Sequence, residues 1–196
     1  MASPETARVG FLHPDDWIGA AKARLSDQGI ESVHVEVLAR ELGVSKGSFY
    51  WHFRDRGELL DKLLVRWEEG ELDWLNGDDG ASAATRWARF IERAASPERM
   101  RMEIALRAWA RGDEGVATRV AAIEKRKARL IRDVLRDIGF AETAAESWSE
   151  VALLICLGWL DRATRDKQFE VASRGLGELL SEFIRAASAA SPAPNR

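Results

Sequence analysis

Apolar residues recur every three or four positions along most of this chain, the spacing of one buried helical face. Trp17, Ile18, Ala21 and Leu25 form the first such stripe. His13-Pro14 opens it, with proline at the first helical position and Asp15 and Asp16 favouring the positive helix end. Gly29 closes it. A short helix is predicted from about Val35 to Leu42, stopped by Gly43, and another from Ser45, a good N-cap, to about His52. A fourth starts at Asp55, with Glu58 three residues on as in a capping box; Leu60, Leu63, Leu64 and Trp67 line its inner face. Further on, Ala83 to Ala95 turns Trp87, Phe90, Ile91 and Ala94 inward. Pro97 opens a helix through Met102, Leu106 and Trp109 that ends near Gly112. Val116, Val120, Ile123, Leu130, Val134 and Ile138 mark a long one, with Gly139 as its stop. Two more are predicted over about Glu142 to Arg165 and Glu170 to Ala187. Only Val33, Val35 and Val37 alternate as a strand would, and no second strand is there to pair with them. The fold class predicted is all-α, with about nine helices.

Proline and glycine set the larger divisions. No proline falls between Pro97 and Pro192, and that stretch is rich in Ala, Leu, Arg and Glu. Asn76-Gly77-Asp78-Asp79-Gly80 is the clearest break in the chain. The chain therefore reads as an N-terminal arm over 1–12, a compact helical unit over 13–54, a connecting helix over 55–75, a larger helical unit over 76–188 and a flexible tail over 189–196.

Composition narrows the chemistry. With 46% hydrophobic and 31% charged residues, the 196-residue chain can bury a core. The formal net charge is −3, so any nucleic-acid contact must come from a local patch. Residues 1–66 hold nine Lys/Arg against ten Asp/Glu. One cysteine, Cys156, excludes an internal disulfide framework; it reads as a small buried residue with no basic neighbour to activate it. The longest apolar run, Val151 to Leu160, is too short for a bilayer span. The N-terminus lacks the pattern of a signal peptide, and a cytoplasmic protein is expected. Three scattered histidines offer no metal-ligand spacing, and neither a phosphate-cradling glycine loop nor a nucleophile elbow is present. No enzyme, cofactor or metal is expected. The basic run Lys125-Arg126-Lys127-Arg129-Arg132-Arg136, intermixed with Glu124, Asp133 and Asp137, reads as a solvated helix face.

The informative segment runs from Val37 to Phe53: two short helices flanking a glycine-containing turn, the arrangement of a helix-turn-helix. Phe49 and Phe53, four apart, can face the core. Lys46, Ser48, Tyr50 and His52 are then left on the outer surface, and each can donate a hydrogen bond to phosphate. Trp51 either packs on the first helix or flanks a phosphate. Gly43-Val44-Ser45-Lys46-Gly47-Ser48-Phe49-Tyr50-Trp51-His52-Phe53, followed by Asp55-Arg56-Gly57-Glu58-Leu59, resembles the tetracycline-repressor (TetR) family of bacterial transcription regulators. Trp17-Ile18-Gly19-Ala20-Ala21, with Gly29 beyond, fits that family's first helix. The resemblance is specific over about 13–67 and looser beyond.

It implies a homodimer whose three N-terminal helices bind a double-stranded DNA operator and whose larger helical domain binds a small-molecule effector. It implies that Ser45, Lys46, Gly47 and Ser48, at the start of the recognition helix, approach DNA, that Tyr50, His52 and Arg56 touch phosphate, and that Arg40 is in reach. His34 stands where a hydroxyl residue commonly caps the second helix, Glu36 is acidic where a base is common, and Arg24 sits where the first helix is usually apolar.

For the effector, Trp87, Phe90, Met102, Leu106 and Trp109 either line an aromatic cavity or pack the core. Ile155 and Trp159 are added candidates, and Glu103 or Arg107 could orient a polar end. For the dimer, Trp148, Val151, Ala152, Ile155 and Trp159 on one helix are apolar on more than one face, and Leu176, Leu179, Leu180, Phe183 and Ile184 follow on the last helix. Expected, then, is a repressor released from a palindromic operator by a mostly apolar effector. An activator, an effector-independent regulator and a helical carrier without DNA function remain alternatives.

Overall fold

The computed structural model describes residues 12–77, 80–165, 178, 180–182 and 185–186. Every regular element among the described residues is a helix. In order they form α1 (Pro14–Gln28), a single 3-10 turn at Ile30–Ser32, α2 (Val35–Glu41), α3 (Lys46–Tyr50), α4 (Arg56–Asn76), α5 (Ala83–Ala94), α6 (Pro97–Ala110), α7 (Glu114–Asp137) and α8 (Glu142–Arg165). The last helix expected from sequence lies mostly outside the described residues. Among those described, no helix is long and apolar enough to cross a membrane. The chain divides between Val65 and Arg66 into two compact units, so the division falls inside α4.

Local chemistry explains the boundaries. The backbone N–H of His13 donates to Asp16 Oδ2 at 2.7 Å, and that of Asp16 to the His13 carbonyl at 3.0 Å. These two bonds satisfy orphan groups at the start of α1. Ser82 Oγ accepts from the Thr85 N–H at 3.1 Å, and Asp113 Oδ1 from the Val116 N–H at 3.1 Å, capping α5 and α7. Gly43 ends α2 at φ +70°. The Val44 N–H then reaches the Ala39 carbonyl at 2.9 Å and the Gly43 N–H that of Arg40 at 3.2 Å, a Schellman motif. Phe140 and Gly139 repeat it on the carbonyls of Leu135 and Arg136.

In the N-terminal unit, Trp17, Leu25, Leu38, Phe49, Phe53, Leu59 and Leu63 are fully buried together with Val33. The valine alternation resolves into helix: Val33 is buried just after the 3-10 turn and Val35 is buried on α2. Arg24, anomalous by sequence, crosses to neighbouring elements. Its guanidinium donates to the Ser32 carbonyl at 2.8 Å and to Gln28 at 3.0 Å, and pairs with Glu41 of α2. In the C-terminal unit, α7 packs along α6 and α8. Phe90, Ile131, Leu135, Phe140, Ala145, Ala152, Cys156 and Leu180 form its core. Cys156 is buried as expected, and burial pushes its thiol up to about 11.

The Gly43 backbone lies in the left-handed region that side chains resist. Gly43→Ala is therefore expected to destabilise the N-terminal unit by roughly 1–2 kcal/mol, read as a lower urea midpoint by circular dichroism.

Candidate nucleic-acid interface

The candidate site is built on α2 and α3. Helix α3 is short and carries one inward anchor, Phe49, whose ring meets Trp17 edge-on at 5.2 Å and stacks on Phe53 at 5.2 Å. With Phe49 facing in, the residues around it face out. Ser45, Lys46 and Gly47 are exposed, Ser48 and His52 are half-buried, Tyr50 is 60% exposed and Trp51 88% exposed. Trp51 thus does not pack on α1. Arg40 is exposed on α2. His34 occupies the N-cap position of α2 but its side chain makes no capping hydrogen bond, and the same holds for Ser45 at α3. Neither ring nor hydroxyl is tied to a helix end.

Two of the expected cations have partners within the unit. Lys46 Nζ donates to Glu36 Oε1 at 2.7 Å, both side chains remaining more than half exposed. The Lys46 hydrogen bond holds the Glu36 carboxyl below its ordinary value. Arg56 turns inward: its Nε donates to the Val33 carbonyl at 2.5 Å and its Nη2 to the Ile30 carbonyl at 2.7 Å. These bonds fasten the 3-10 turn to the start of α4. Beside it, Asp55 Oδ1 accepts from the Glu58 N–H at 2.9 Å, and Glu58 Oε2 from the Arg54 N–H at 2.7 Å. Those backbone donors hold both carboxyls below their ordinary values.

The effector candidates lie in the other unit. Phe90, Met102 and Leu106 are buried; Trp87 and Trp109 are half-buried. Trp87 stacks on Phe90 at 5.5 Å, and Ile155 and Trp159 pack against the same core cluster. Glu103 and Arg107 pair with each other at 3.1 Å. Burial raises the Glu103 carboxyl, but the charges of Lys127 and Arg107 outweigh it and hold the group below its ordinary value. Lys127 departs from the expected solvated face: it points inward and pairs with Glu103 at 3.0 Å. Glu71, not singled out by sequence, is 4% exposed and pairs with Arg93 at 2.9 Å. Of the dimer candidates, Ala152 and Leu180 are buried, Trp148, Ile155 and Trp159 are half-buried, and Val151 is exposed together with Leu154, which sequence reasoning missed. Leu176, Leu179, Phe183 and Ile184 lie outside the described residues. Among the described residues, no group of His, Cys, Asp and Glu could hold a metal ion.

The sequence profile of the bacterial regulatory proteins of the tetR family matches residues 18–63, which span α2, α3 and most of α1. The chain is 33% identical over 124 residues to the class C tetracycline repressor protein of Escherichia coli, a match covering 63% of this chain and 53% of the repressor. It is 40% identical over 52 residues to the class A tetracycline repressor protein from transposon 1721 of the same species, covering 26% of this chain and 24% of the other. The chain thus spans about a quarter to a half of these relatives. A crystal structure of a transcriptional regulator from Rhodococcus sp. Rha1 superposes with a TM-score of 0.73 at 19% identity, covering 94% of this chain and all of the other, and attests a shared fold.

With Arg56 donating to two backbone carbonyls, its loss strands both acceptors. Arg56→Ala is expected to lower unfolding free energy by about 2 kcal/mol in urea titration. It should leave the salt slope of DNA binding unchanged; a slope reduced by about one unit at unaltered stability would return Arg56 to the phosphate contacts.

Proposed function

We propose that this chain, whose N-terminal unit matches the tetR family of bacterial regulatory proteins, is a sequence-specific DNA-binding transcriptional regulator. In this reading it is a cytoplasmic repressor that a small, mostly apolar effector releases from a palindromic operator. The observation that carries the reading is the outward row on and around α3, with Lys46, Tyr50 and Trp51 exposed over a fully buried Phe49. A short helix presenting hydroxyl, ammonium and aromatic groups suits the major groove and its phosphate borders. Lys46 exchanges Glu36 for a phosphate on binding. Arg40, His34, Ser45, Ser48 and His52 supply further contacts, and Trp51 lies against the sugar-phosphate backbone. The relatives are regulators, and the reading assigns the chain no reaction.

A dimer follows from the same reading. On α8, Val151 and Leu154 are exposed apolar residues three apart, and Leu154 is 63% exposed. An apolar strip of this kind gains by cover from a second copy. Two such subunits present two recognition helices, which fit half-sites about one helical turn apart or a multiple of it.

A mobility-shift titration at two salt concentrations tests the interface. Lys46→Ala should weaken binding to every sequence and flatten the salt dependence by about one unit. Gly47→Ala separates fold from contact. A Cβ there meets only Ser45 Oγ at 3.5 Å, so the fold accepts it and gains up to about 1 kcal/mol of helix propensity. Operator affinity should nonetheless fall roughly tenfold, because the methyl group stands where DNA approaches. Undiminished affinity in both variants sinks the assignment of α3. Leu154→Glu should convert a dimer in sedimentation to the mass of one 21.9 kDa chain; a wild-type monomer at micromolar concentration would contradict the paired assembly.

A further inference from the structure

In the unit that begins at Arg66, charged side chains from four helices meet in the interior. Glu71 of α4 accepts from Arg93 of α5 at 2.9 Å, pairs with Arg99 of α6, and lies 3.5 Å from Lys127 of α7. Lys127 continues to Glu103 at 3.0 Å; Arg107 joins Glu103 at 3.1 Å and Glu124 at 2.7 Å. These pairs link the cations Arg93, Arg99, Arg107 and Lys127 to the carboxylates Glu71, Glu103 and Glu124. Two of their donors, Arg93 Nε and Arg107 Nε, are buried with no hydrogen-bond partner. Idle guanidinium donors among cations already held by carboxylates favour an acceptor that carries negative charge.

Aromatic surface adjoins this cluster. The Arg93 guanidinium lies 4.6 Å over the Trp74 ring, which is 6.2 Å from Phe90, itself stacked under Trp87. The charge of Arg107 and Lys127 reaches Cys156, a member of the same apolar core as Phe90. Arg99 is 41% exposed, which opens the cluster to solvent on one side.

We propose that the effector is an amphipathic anion whose carboxylate or phosphate head displaces the Glu71 carboxylate from Arg93, Arg99 and Lys127 while its apolar body lies against the half-buried rings of Trp74 and Trp87. This deepens the reading of the unit as an effector domain and rests on it. The exchange is anion for anion, with no covalent step, and it frees Glu71 and with it the C-terminal turns of α4, the helix that runs on from the candidate DNA-binding unit. A neutral ligand cannot take the place of a carboxylate among these cations, and a cation is repelled by them.

The test titrates the full chain with decanoate, decyl phosphate, decanol and decyltrimethylammonium, below their micelle-forming concentrations, and follows tryptophan emission. At least one of the two anions should bind saturably and perturb the emission; which of them binds better identifies the head group. Glu71→Gln, which removes the competing carboxylate, should tighten that anion roughly tenfold, and Lys127→Met should weaken it by a similar factor. Neither variant should change the response to decanol or the ammonium. Glu71→Asp keeps the charge and should fall between wild type and Glu71→Gln; it also serves if the glutamine variant fails to fold by circular dichroism. Decanol binding as tightly as the anions, no saturable anion binding, or a Glu71→Gln protein that binds anions no better would each overturn the proposal. The emission readout is independent of DNA. Anion binding with this Glu71 dependence in a protein that shifts no operator would refute the regulator and leave the anion site standing.

Discussion

The burial of Phe49 is the constraint on which the candidate interface depends. Helix α3 spans only Lys46–Tyr50, far below the roughly 12 residues at which an isolated helix becomes stable in water. Its conformation is imposed from outside. Phe49 is fully buried between Trp17 of α1 and Phe53 just beyond α3, and aromatic pairs of this kind add about 0.5–1.5 kcal/mol each beyond the area they bury. Fixing that one side chain fixes the rotation of the helix. The exposure of Tyr50 and Trp51 is then a geometric consequence, because neither can turn inward while Phe49 does.

The same unit sorts its cations by partner. Arg24 and Arg56 satisfy backbone carbonyls of the 3-10 turn and its flank, where two parallel N–H donors of a guanidinium suit fixed acceptors. Lys46 instead meets an exposed carboxylate, Glu36. Exposed pairs of that kind contribute about 0–1 kcal/mol, so a phosphate can replace Glu36 at little cost. In the proposed reading, a nearly neutral unit can in this way offer Lys46 to DNA while Arg24 and Arg56 stay structural.

Most of the architecture was legible in the sequence because its helices have chemical ends: Pro14 and Pro97 at starts, Gly29, Gly43 and Gly139 after stops. The valine alternation arises because a 3-10 turn and a helix start adjoin there, so Val33 and Val35 are buried from different elements. The inward bonds of Arg56 left no local sign, because its acceptors, the carbonyls of Val33 and Ile30, are 23 and 26 residues away. The inward charges did leave a signal. Lys127 sits four residues after Ile123 and four before Ile131, inside the apolar stripe of α7, and Glu71 follows Trp67 by four on α4. A charge on an apolar stripe was the sign of a buried partner, and surrounding basic residues hid it. On α8, Leu154 escaped notice because an apolar run has no polar side to show which residues face out.

A buried ionic cluster contributes little to stability that apolar packing could not supply, yet breaking one partner from it is costly, about 3–5 kcal/mol. That asymmetry gives the Glu71 cluster its use. Were Glu71 simply withdrawn, three cations from α5, α6 and α7 would lose a buried counter-charge, a cost comparable to a large part of a domain's 5–15 kcal/mol of stability. When another anion arrives as Glu71 leaves, the cations are never unpaired, and the two arrangements differ only by the difference between two similar interactions. Such a near balance is the condition for a switch, since a ligand moves an equilibrium only by its differential affinity for the two states. The neighbouring half-buried Trp74 and Trp87 then supply what a free carboxylate or phosphate lacks, an apolar contact that only the bound arrangement makes. Charge makes the exchange affordable in free energy, and the aromatic surface sets which anion can drive it.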